Sequence, residues 1–207
     1  MEKDYIIRLE QPTDYKLVEN VVRESFWNIY RPGCLEHYVL HCYRDNKDFV
    51  KELDFVILKG NEIIGQTMFV KAVIKTDDNK DIPIMTFGPI CILPKYQKQG
   101  YGKILLDYSL EKAKQLGCGA VCMEGNIKFY GKSGFIVASK KNIHYYAEPK
   151  ENEVPYFLLK ELKEGFLNNI SGTYKTPEGY FVDEKEAEEF DKNFKPKQKL
   201  KLPGQIF

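Results

Sequence analysis

The first part of the chain carries apolar positions at helical spacing. Between residues 13 and 26, apolar side chains recur three and four positions apart, which places them on one face of an amphipathic helix. Thr13 is the residue type expected at the start of that helix. Pro32-Gly33 then breaks the chain, and the pattern predicts a second helix over about 35–44. The apolar stripe of the first helix consists of Leu17, Val18, Val21, Val22 and Phe26.

From residue 55 the pattern changes to that of β-strands. An apolar run from Phe55 to Leu58 is followed by the tight-turn pair Gly60-Asn61, and a longer strand follows to about Ile74. After a polar turn, another extended segment covers residues 82–92. Gly88-Pro89 lies inside it, and because Pro cannot donate a hydrogen bond to a neighbouring strand, we expect a bulge or bend there.

Helices and strands alternate in the second half of the chain. A helix over 100–116 has apolar side chains on one face and charged side chains on the other, and Gly117 is placed to end it. A short helix is expected at 127–132. The further predicted strands cover 120–123, 135–138, 143–146 and 156–159. This order of elements predicts a mixed α/β sandwich.

The predicted domains are residues 1–172 and a short C-terminal appendage, residues 173–207. Within the appendage, Asp183 begins a helix that reaches about Asn193. The segment after this helix is basic. We expect three apolar residues to hold it against the body of the protein, namely Leu200, Leu202 and Phe207.

Composition narrows the function classes. The 207 residues are 43% hydrophobic and 29% charged, as in an ordinary globular protein, and the net charge of +1 gives no support for a nucleic-acid or membrane partner. No apolar run is long enough to span a membrane, and no signal peptide is recognised, so we expect a cytoplasmic location. The five cysteines form no Cys-x-x-Cys pair, which argues against a disulfide framework or a structural zinc site.

The most informative segment is the glycine-containing loop between the strand ending at Ile92 and the next helix. The first N–H groups of a helix have no partner within it, and they carry the positive end of the helix dipole. Gly100 and Gly102 would let an anion approach these N–H groups closely. The loop has no Walker A pattern. It also lacks the dinucleotide fingerprint, because Leu105 stands where that pattern has its third glycine.

Two motifs around this loop resemble the GNAT acetyltransferases. Gln97-x-x-Gly100-x-Gly102 resembles the family's pyrophosphate signature, and Ile92-Leu93-Pro94 resembles the element before it. Downstream, residues 129–135 (Phe-Tyr-Gly-Lys-Ser-Gly-Phe) resemble the family's Tyr-x-x-x-Gly-Phe element. Together the motifs cover about 50 residues, and two linked motifs are far more specific than one. The strand order extends the resemblance over 6–162.

The resemblance implies a fold and a co-substrate. The fold is a GNAT-like mixed, mostly antiparallel sheet flanked by helices, with a bulged, splayed central strand and a short C-terminal appendage. Acetyl-CoA would be the acyl donor, and no metal is expected. The implied coenzyme contacts are Ile90, Cys91 and Ile92 for the pantetheine arm, Gln97 for the loop, Lys98, Gln99, Gly100, Tyr101, Gly102 and Lys103 for the pyrophosphate, and Asn126.

The resemblance also implies catalytic roles. Tyr130 matches the family tyrosine that lies near the coenzyme sulfur, where a phenol could protonate the leaving thiolate. Glu124, at the end of a predicted strand, is the leading candidate for the base that takes the acceptor's proton. Acceptor contacts are expected from the second helix, at Glu36, His37 and His41.

The acceptor would be a small-molecule or peptide amine, and its identity stays open. Three other functions also stay open: a non-catalytic coenzyme A-binding module, a protein-interaction module that uses the C-terminal appendage, and a protein acetyltransferase. The assembly state is open as well, with a homodimer as one alternative.

Overall fold

Between residues 4 and 205, the part of the chain that this computed structural model describes, there are five α-helices and nine β-strands. The helices are α1 (Tyr15–Phe26), α2 (Glu36–Tyr43), α3 (Tyr101–Gln115), α4 (Ile127–Tyr130) and α5 (Glu184–Asp191). The strands are β1 (Ile6–Leu9), β2 (Phe55–Lys59), β3 (Glu62–Thr76), β4 (Asp81–Ile92), β5 (Ala120–Glu124), β6 (Ile136–Val137), β7 (Ile143–Tyr145), β8 (Phe157–Glu161) and β9 (Gly172–Tyr174).

The chain folds into two units. The first unit combines the described residues up to Met68 with 89–105 and with the C-terminal stretch from Glu178. The second combines 69–88 with 106–177. The chain passes from one unit to the other within β3, β4 and α3. The predicted boundary between 172 and 173 stays a prediction.

In the first unit, β1, β2 and the beginning of β3 form antiparallel pairs. The end of β4 lies beside β3, where the Leu93 N–H donates to the Ile64 carbonyl at 2.8 Å. Gly65 permits this close approach, because a Cβ there would lie 2.4 Å from the Cys91 carbonyl oxygen. Helices α1 and α2 pack together. The fully buried apolar residues of the unit include Val18, Val22, Leu40, Leu53, Ile57 and Ile64.

The C-terminal stretch of the first unit is attached to α1 by polar contacts. Helix α5 begins at Asp183, whose carboxylate accepts from two N–H groups of its first turn. Arg23 is 1% exposed and donates to both oxygens of Asp191, at 2.5 and 3.0 Å. Further along, the Trp27 indole N–H donates to the Gln198 carbonyl at 3.0 Å. This stretch is therefore part of the first unit's fold.

The Arg23–Asp191 pair should be a major contribution to the stability of this unit. We expect Asp191→Ala to lower the free energy of unfolding by about 3 kcal/mol, because it leaves a buried guanidinium without its carboxylate. Glu189→Ala on the same helix is the matched control. Glu189 and its partner Lys192 are largely exposed, so its loss should change stability by less than about 0.5 kcal/mol. Urea unfolding of both variants tests this, and equal losses would contradict it.

In the second unit, β5, β8 and β6 form antiparallel pairs, and β5 pairs with β4 in parallel, with Met85 opposite Val121. Strand β9 pairs with β7 and with the end of β3. The core of this unit contains Ala72, Ile74, Ile84, Ala120, Cys122, Ala138, Ile143, Tyr145, Val154, Phe157, Leu159, Leu167 and Tyr174.

The predicted fold class is confirmed: the chain is mixed α/β, and its sheet is mostly antiparallel. Strand β4 is continuous through Gly88-Pro89, and the irregularity appears in its backbone, because Gly88 has φ +144°. Two short strands, β1 and β9, were missed. Thr13 is not the helix cap, because it lies inside the 3-10 turn Pro12–Asp14.

The C-terminal contacts differ from the prediction. Leu200 and Leu202 are 40% and 45% exposed, so neither is part of the buried core. Phe207 lies outside the described residues. Polar contacts, such as the hydrogen bond from Trp27 to the Gln198 carbonyl, also attach this stretch to the end of α1.

Candidate active site

The glycine-containing loop of the first unit follows β4 through a short 3-10 turn, Pro94–Tyr96. Two residues of the loop adopt a left-handed backbone, Lys98 with φ +60° and Gly100 with φ +92°. Helix α3 then begins at Tyr101. The left-handed backbone at Gly100 favours glycine, because a residue with a Cβ rarely adopts this φ.

Two glutamine side chains hold the loop in place. Gln97 Nε2 donates to the Ile92 carbonyl at 2.9 Å, which ties the loop to the end of β4. Gln99 Nε2 donates to the Lys95 carbonyl at 3.0 Å. The Gln97 amide therefore holds the loop to β4, and the Gln99 amide bonds to the 3-10 turn that precedes the loop.

Within residues 4–205, the backbone N–H groups of Lys98, Gln99 and Gly100 donate to no protein acceptor. The residues themselves are exposed. The first turn of α3 adds further N–H groups that have no acceptor within the helix. Such N–H groups, in an exposed loop at a helix start, are suited to bind a phosphate group.

Two side chains near the loop already make polar contacts within the protein. Lys95 forms an ion pair with Glu62 at 2.7 Å. Tyr101 is buried, and its hydroxyl donates to Asp4 at 2.9 Å, so its side chain is directed away from solvent. The contribution of Tyr101 to a ligand at the loop would therefore come from its backbone.

The end of β4 is largely buried. Cys91 and Ile92 are 5% and 7% exposed, and Ile90 is half-buried. Burial raises the pKa of the Cys91 thiol to about 12, so it is protonated at neutral pH. A ligand contact with Cys91 or Ile92 would therefore use mainly the strand backbone.

In the second unit, Tyr130 lies directly beside the end of β5. A Cβ at Gly125 would lie only 2.4 Å from Tyr130 Cε2 and 2.8 Å from Met123 Cε, so glycine is what lets the phenol ring approach the strand. The ring also contacts Phe87, Phe129 and Phe135, with centroids 4.8–5.9 Å away. These contacts fix its position.

Glu124 immediately precedes Gly125 and is exposed at the end of β5. Its Oε1 accepts from the Tyr145 hydroxyl at 3.0 Å and from the Thr176 hydroxyl at 2.7 Å. Burial raises the pKa of Tyr145, so its phenol stays protonated and acts as a donor. The predicted catalytic residues Tyr130 and Glu124 thus lie at one strand end.

Sequence reasoning did not find the residues that position these two groups. Gly125 follows a strand and could have been recognised as a point of close approach. Tyr145 and Thr176 gave no local signal, because they reach Glu124 from separate parts of the chain. Asn126 caps α4, and its side-chain oxygen accepts from the Lys128 N–H at 2.9 Å. Its predicted contact with the coenzyme stays a prediction.

The predicted acceptor residues on α2 occupy three different environments. Glu36 accepts from the Leu35 N–H at 2.9 Å, and burial raises its pKa. His41 is half exposed and lies 2.9 Å from Glu19 Oε1. His37 is fully buried against the rings of Phe190 and Phe194. Whether these residues contact the acceptor stays a prediction.

Burial also sets the protonation state of His37. It lowers the pKa of this histidine to about 4, so the ring is neutral at physiological pH. Nε2 lies 3.1 Å from Asp191 Oδ1 without the alignment of a hydrogen bond. A cavity of about 30 Å³ beside Cys34 and Asp191 has room for little more than water.

Two classes of feature are absent from the part of the chain that the structure describes. No cluster of three or more His, Cys, Asp or Glu residues could hold a metal ion. No helix there has the length and apolar character to cross a membrane.

Comparison with known proteins then assigns the family. The model of the acetyltransferase (GNAT) family matches residues 22–135, over half of the chain. The chain belongs to the GNAT family. The match includes both α2 and the glycine-containing loop, and it extends to Phe135 beside Tyr130.

A GNAT relative with sequence similarity is the uncharacterized N-acetyltransferase YjhQ of Escherichia coli strain K12, 30% identical over 73 residues. That alignment covers 35% of this chain and 39% of YjhQ, so the chain spans well under half of this relative's length.

Solved structures show the GNAT fold. The GNAT N-acetyltransferase YhbS of Escherichia coli, crystallised with CoA, has a TM-score of 0.73 at 21% identity, covering 86% of this chain and 92% of YhbS. A GNAT acetyltransferase from Brucella melitensis, crystallised with acetyl-CoA, has a TM-score of 0.68 at 18% identity, covering 86% and 98% of the two chains. At these identities the similarity shows the fold.

Proposed function

We propose that this chain transfers an acetyl group from acetyl-CoA to a primary amine. The observation that carries the proposal is the exposed loop before α3, where the N–H groups of residues 98–100 donate to no acceptor within residues 4–205, in a chain of the GNAT family. YhbS and the Brucella protein have this fold and were crystallised with CoA and acetyl-CoA, which supports the proposal.

The loop and the end of β4 would bind the coenzyme. The N–H groups of residues 98–103 would receive the pyrophosphate, and the side chain of Gln97 would keep the loop in position. The pantetheine arm would hydrogen-bond with the backbone of residues 90–92 in the manner of an added strand. Asn126 is a further proposed contact.

The residues at the end of β5 would carry the chemistry. The amine nitrogen attacks the thioester carbonyl, the carbon–sulfur bond breaks, and the departing thiolate takes a proton from the Tyr130 hydroxyl. The amine gives up its proton to Glu124, directly or through a water molecule. General acid–base steps of this kind contribute about 10²–10⁴-fold each to the rate.

Gly125 offers a test of the position of Tyr130 that leaves the phenol intact. We expect Gly125→Ala to lower kcat by about tenfold or more, because the new methyl group displaces the ring. Gly131→Ala is the matched control, since its Cβ would meet only the Ile127 side chain, at the ordinary contact distances of 3.6 and 3.8 Å. Steady-state kinetics of both variants, with circular dichroism to confirm folding, makes the comparison. Equal kcat values for the two variants would mean that the position of the Tyr130 ring does not affect the chemical step.

We also propose the class of the acceptor and the cellular location of the reaction. The acceptor is a small-molecule or peptide amine, contacted in part by Glu36, His37 and His41, and the reaction takes place in the cytoplasm. Of the three, His41 is the side chain most open to solvent.

Calorimetric titration with acetyl-CoA tests the proposal, followed by an assay of CoA release with and without amines. Saturable binding and amine-dependent release are expected. The second candidate function is a non-catalytic coenzyme A-binding module, which the same loop would serve. Binding without amine-dependent release from any amine would favour that alternative.

A further inference from the structure

The loop between α1 and α2, residues 27–35, is closed on itself by Asn28. This residue has a left-handed backbone, with φ +60°. Its N–H donates to the Gly33 carbonyl at 2.8 Å, and its side-chain oxygen accepts from the Gly33 N–H at 2.8 Å. One asparagine therefore joins the beginning of the loop to its end.

Asn28 also binds the C-terminal segment 197–205, which we call the strap. Its Nδ2 donates to the Gln198 carbonyl at 3.1 Å, and its Oδ1 accepts from the Leu200 N–H at 3.1 Å. The Asn28 carbonyl accepts from Gln205 Nε2 at 3.0 Å. Every backbone and side-chain polar group of Asn28 thus has a partner, and most of its hydrogen bonds join the loop to the strap.

Side chains of the strap add contacts at both ends of the loop. Lys197 Nζ lies 2.8 Å from Glu24 Oε2, one turn before the loop, and 5.4 Å from the centre of the Trp27 ring. The Lys199 side chain crosses the other end, where a Cβ at Gly33 would lie 3.2 Å from its Cε. The strap therefore follows the loop along its length.

The end of the loop leads directly to two of the proposed acceptor residues. Cys34 follows Gly33, and its Sγ lies 3.3 Å from His37 Nδ1. The N–H of Leu35 donates to Glu36 Oε2 at 2.9 Å. A displacement of the loop at Gly33 would therefore move the groups that orient both side chains.

We propose that the strap fixes the loop through Asn28, and that Asn28 and Gln205 are positioning residues for acceptor binding. Neither residue would touch the amine, because each acts through the loop on Glu36 and His37. The positioning role rests on the proposed function, in which these two side chains contact the acceptor. The coupling between strap and loop is independent of that function.

Hydrogen exchange measured by mass spectrometry tests the coupling without any activity. Asn28→Gly removes the side-chain bonds, and glycine adopts this φ readily. We expect exchange in 27–35 and in 197–205 to rise together by about tenfold, with α1 unchanged. Gln205→Ala should act in the same direction. The matched control is Asn79→Gly, at φ +65° in an exposed turn, which should leave both segments unchanged.

Steady-state kinetics with phenethylamine and with dialanine, a small-molecule and a peptide amine, tests the positioning role. Asn28→Gly should raise KM for the amine by about fivefold, with kcat and the Kd of acetyl-CoA within about twofold of wild type. Asn28→Asp keeps the oxygen that accepts from Gly33 and Leu200, so it should restore most of the loss. In a Glu36→Ala background, Asn28→Gly should change KM by less than about twofold, because the loop acts through that side chain.

The outcomes separate the inference from the proposed function. If exchange rises in only one of the two segments, or in neither, the inference is overturned whether or not acetyl transfer occurs. Coupled exchange with an unchanged KM for the amine overturns the positioning role. Coupled exchange in a chain that acetylates no amine supports the coupling, and overturns the proposed function together with the role in acceptor binding.

Discussion

Gly100→Glu is expected to abolish measurable acetyl-CoA binding, with Kd raised at least about 100-fold, which corresponds to about 2.7 kcal/mol. Two effects combine. The residue has φ +92°, so a side chain strains the loop that presents the N–H groups. The new carboxylate also places a negative charge where the proposed pyrophosphate would lie, and like charges in contact cost several kcal/mol. Isothermal titration calorimetry measures the change.

Gly117→Glu is the matched control for this variant. Gly117 follows the other end of α3 and has φ +90°, and a Cβ at either glycine would meet nothing within 4 Å. Both variants therefore carry similar backbone strain and the same added charge. We expect the Kd of Gly117→Glu to stay within about threefold of wild type. A similar loss of affinity in both variants would mean that the effect comes from unfolding or net charge.

Tyr130→Phe should lower kcat by about 10²-fold or more while acetyl-CoA binding changes little. The substitution removes only the hydroxyl, so the ring contacts with Phe87 and Phe135 are kept. If the phenol donates a proton to the departing thiolate, the loss appears in the chemical step. Pre-steady-state measurement of CoA release separates that step from product release.

Tyr146→Phe serves as the control for Tyr130. Tyr146 belongs to the same unit, is 41% exposed and has no proposed part in proton transfer. Its kcat should stay close to wild type. A Tyr130→Phe enzyme with unchanged kcat would assign Tyr130 a packing role and leave the general acid to another group, such as a water molecule.

The sequence was sufficient to predict the elements with strong local signals. Helix α3 has a regular apolar face, a glycine loop before it and Gly117 after it, and each of these has a local physical cause. Asp183 was recognised as the start of α5 for the same reason, since capping depends on neighbouring residues. Local chemistry also led to the loop that we propose as the coenzyme site.

The features that were missed depend on long-range contacts. Strands β1 and β9 are four and three residues long, too short for a periodic pattern, and they are defined by their partners. The donors to Glu124 come from Tyr145 and Thr176, 21 and 52 positions away. Likewise, the position of His37 on a predicted helix could not reveal that the rings of Phe190, in α5, and Phe194 would pack against it.

The most direct test of the central claim is a multiple-turnover reaction of the wild-type chain with isotopically labelled acetyl-CoA and a mixture of primary amines. Products are analysed by mass spectrometry. We predict labelled acetylamides in molar excess over the protein, formed in step with CoA release and reduced in the Tyr130→Phe variant. CoA release without any labelled amide, or no reaction by a folded protein that binds acetyl-CoA, would contradict the assignment as an amine acetyltransferase.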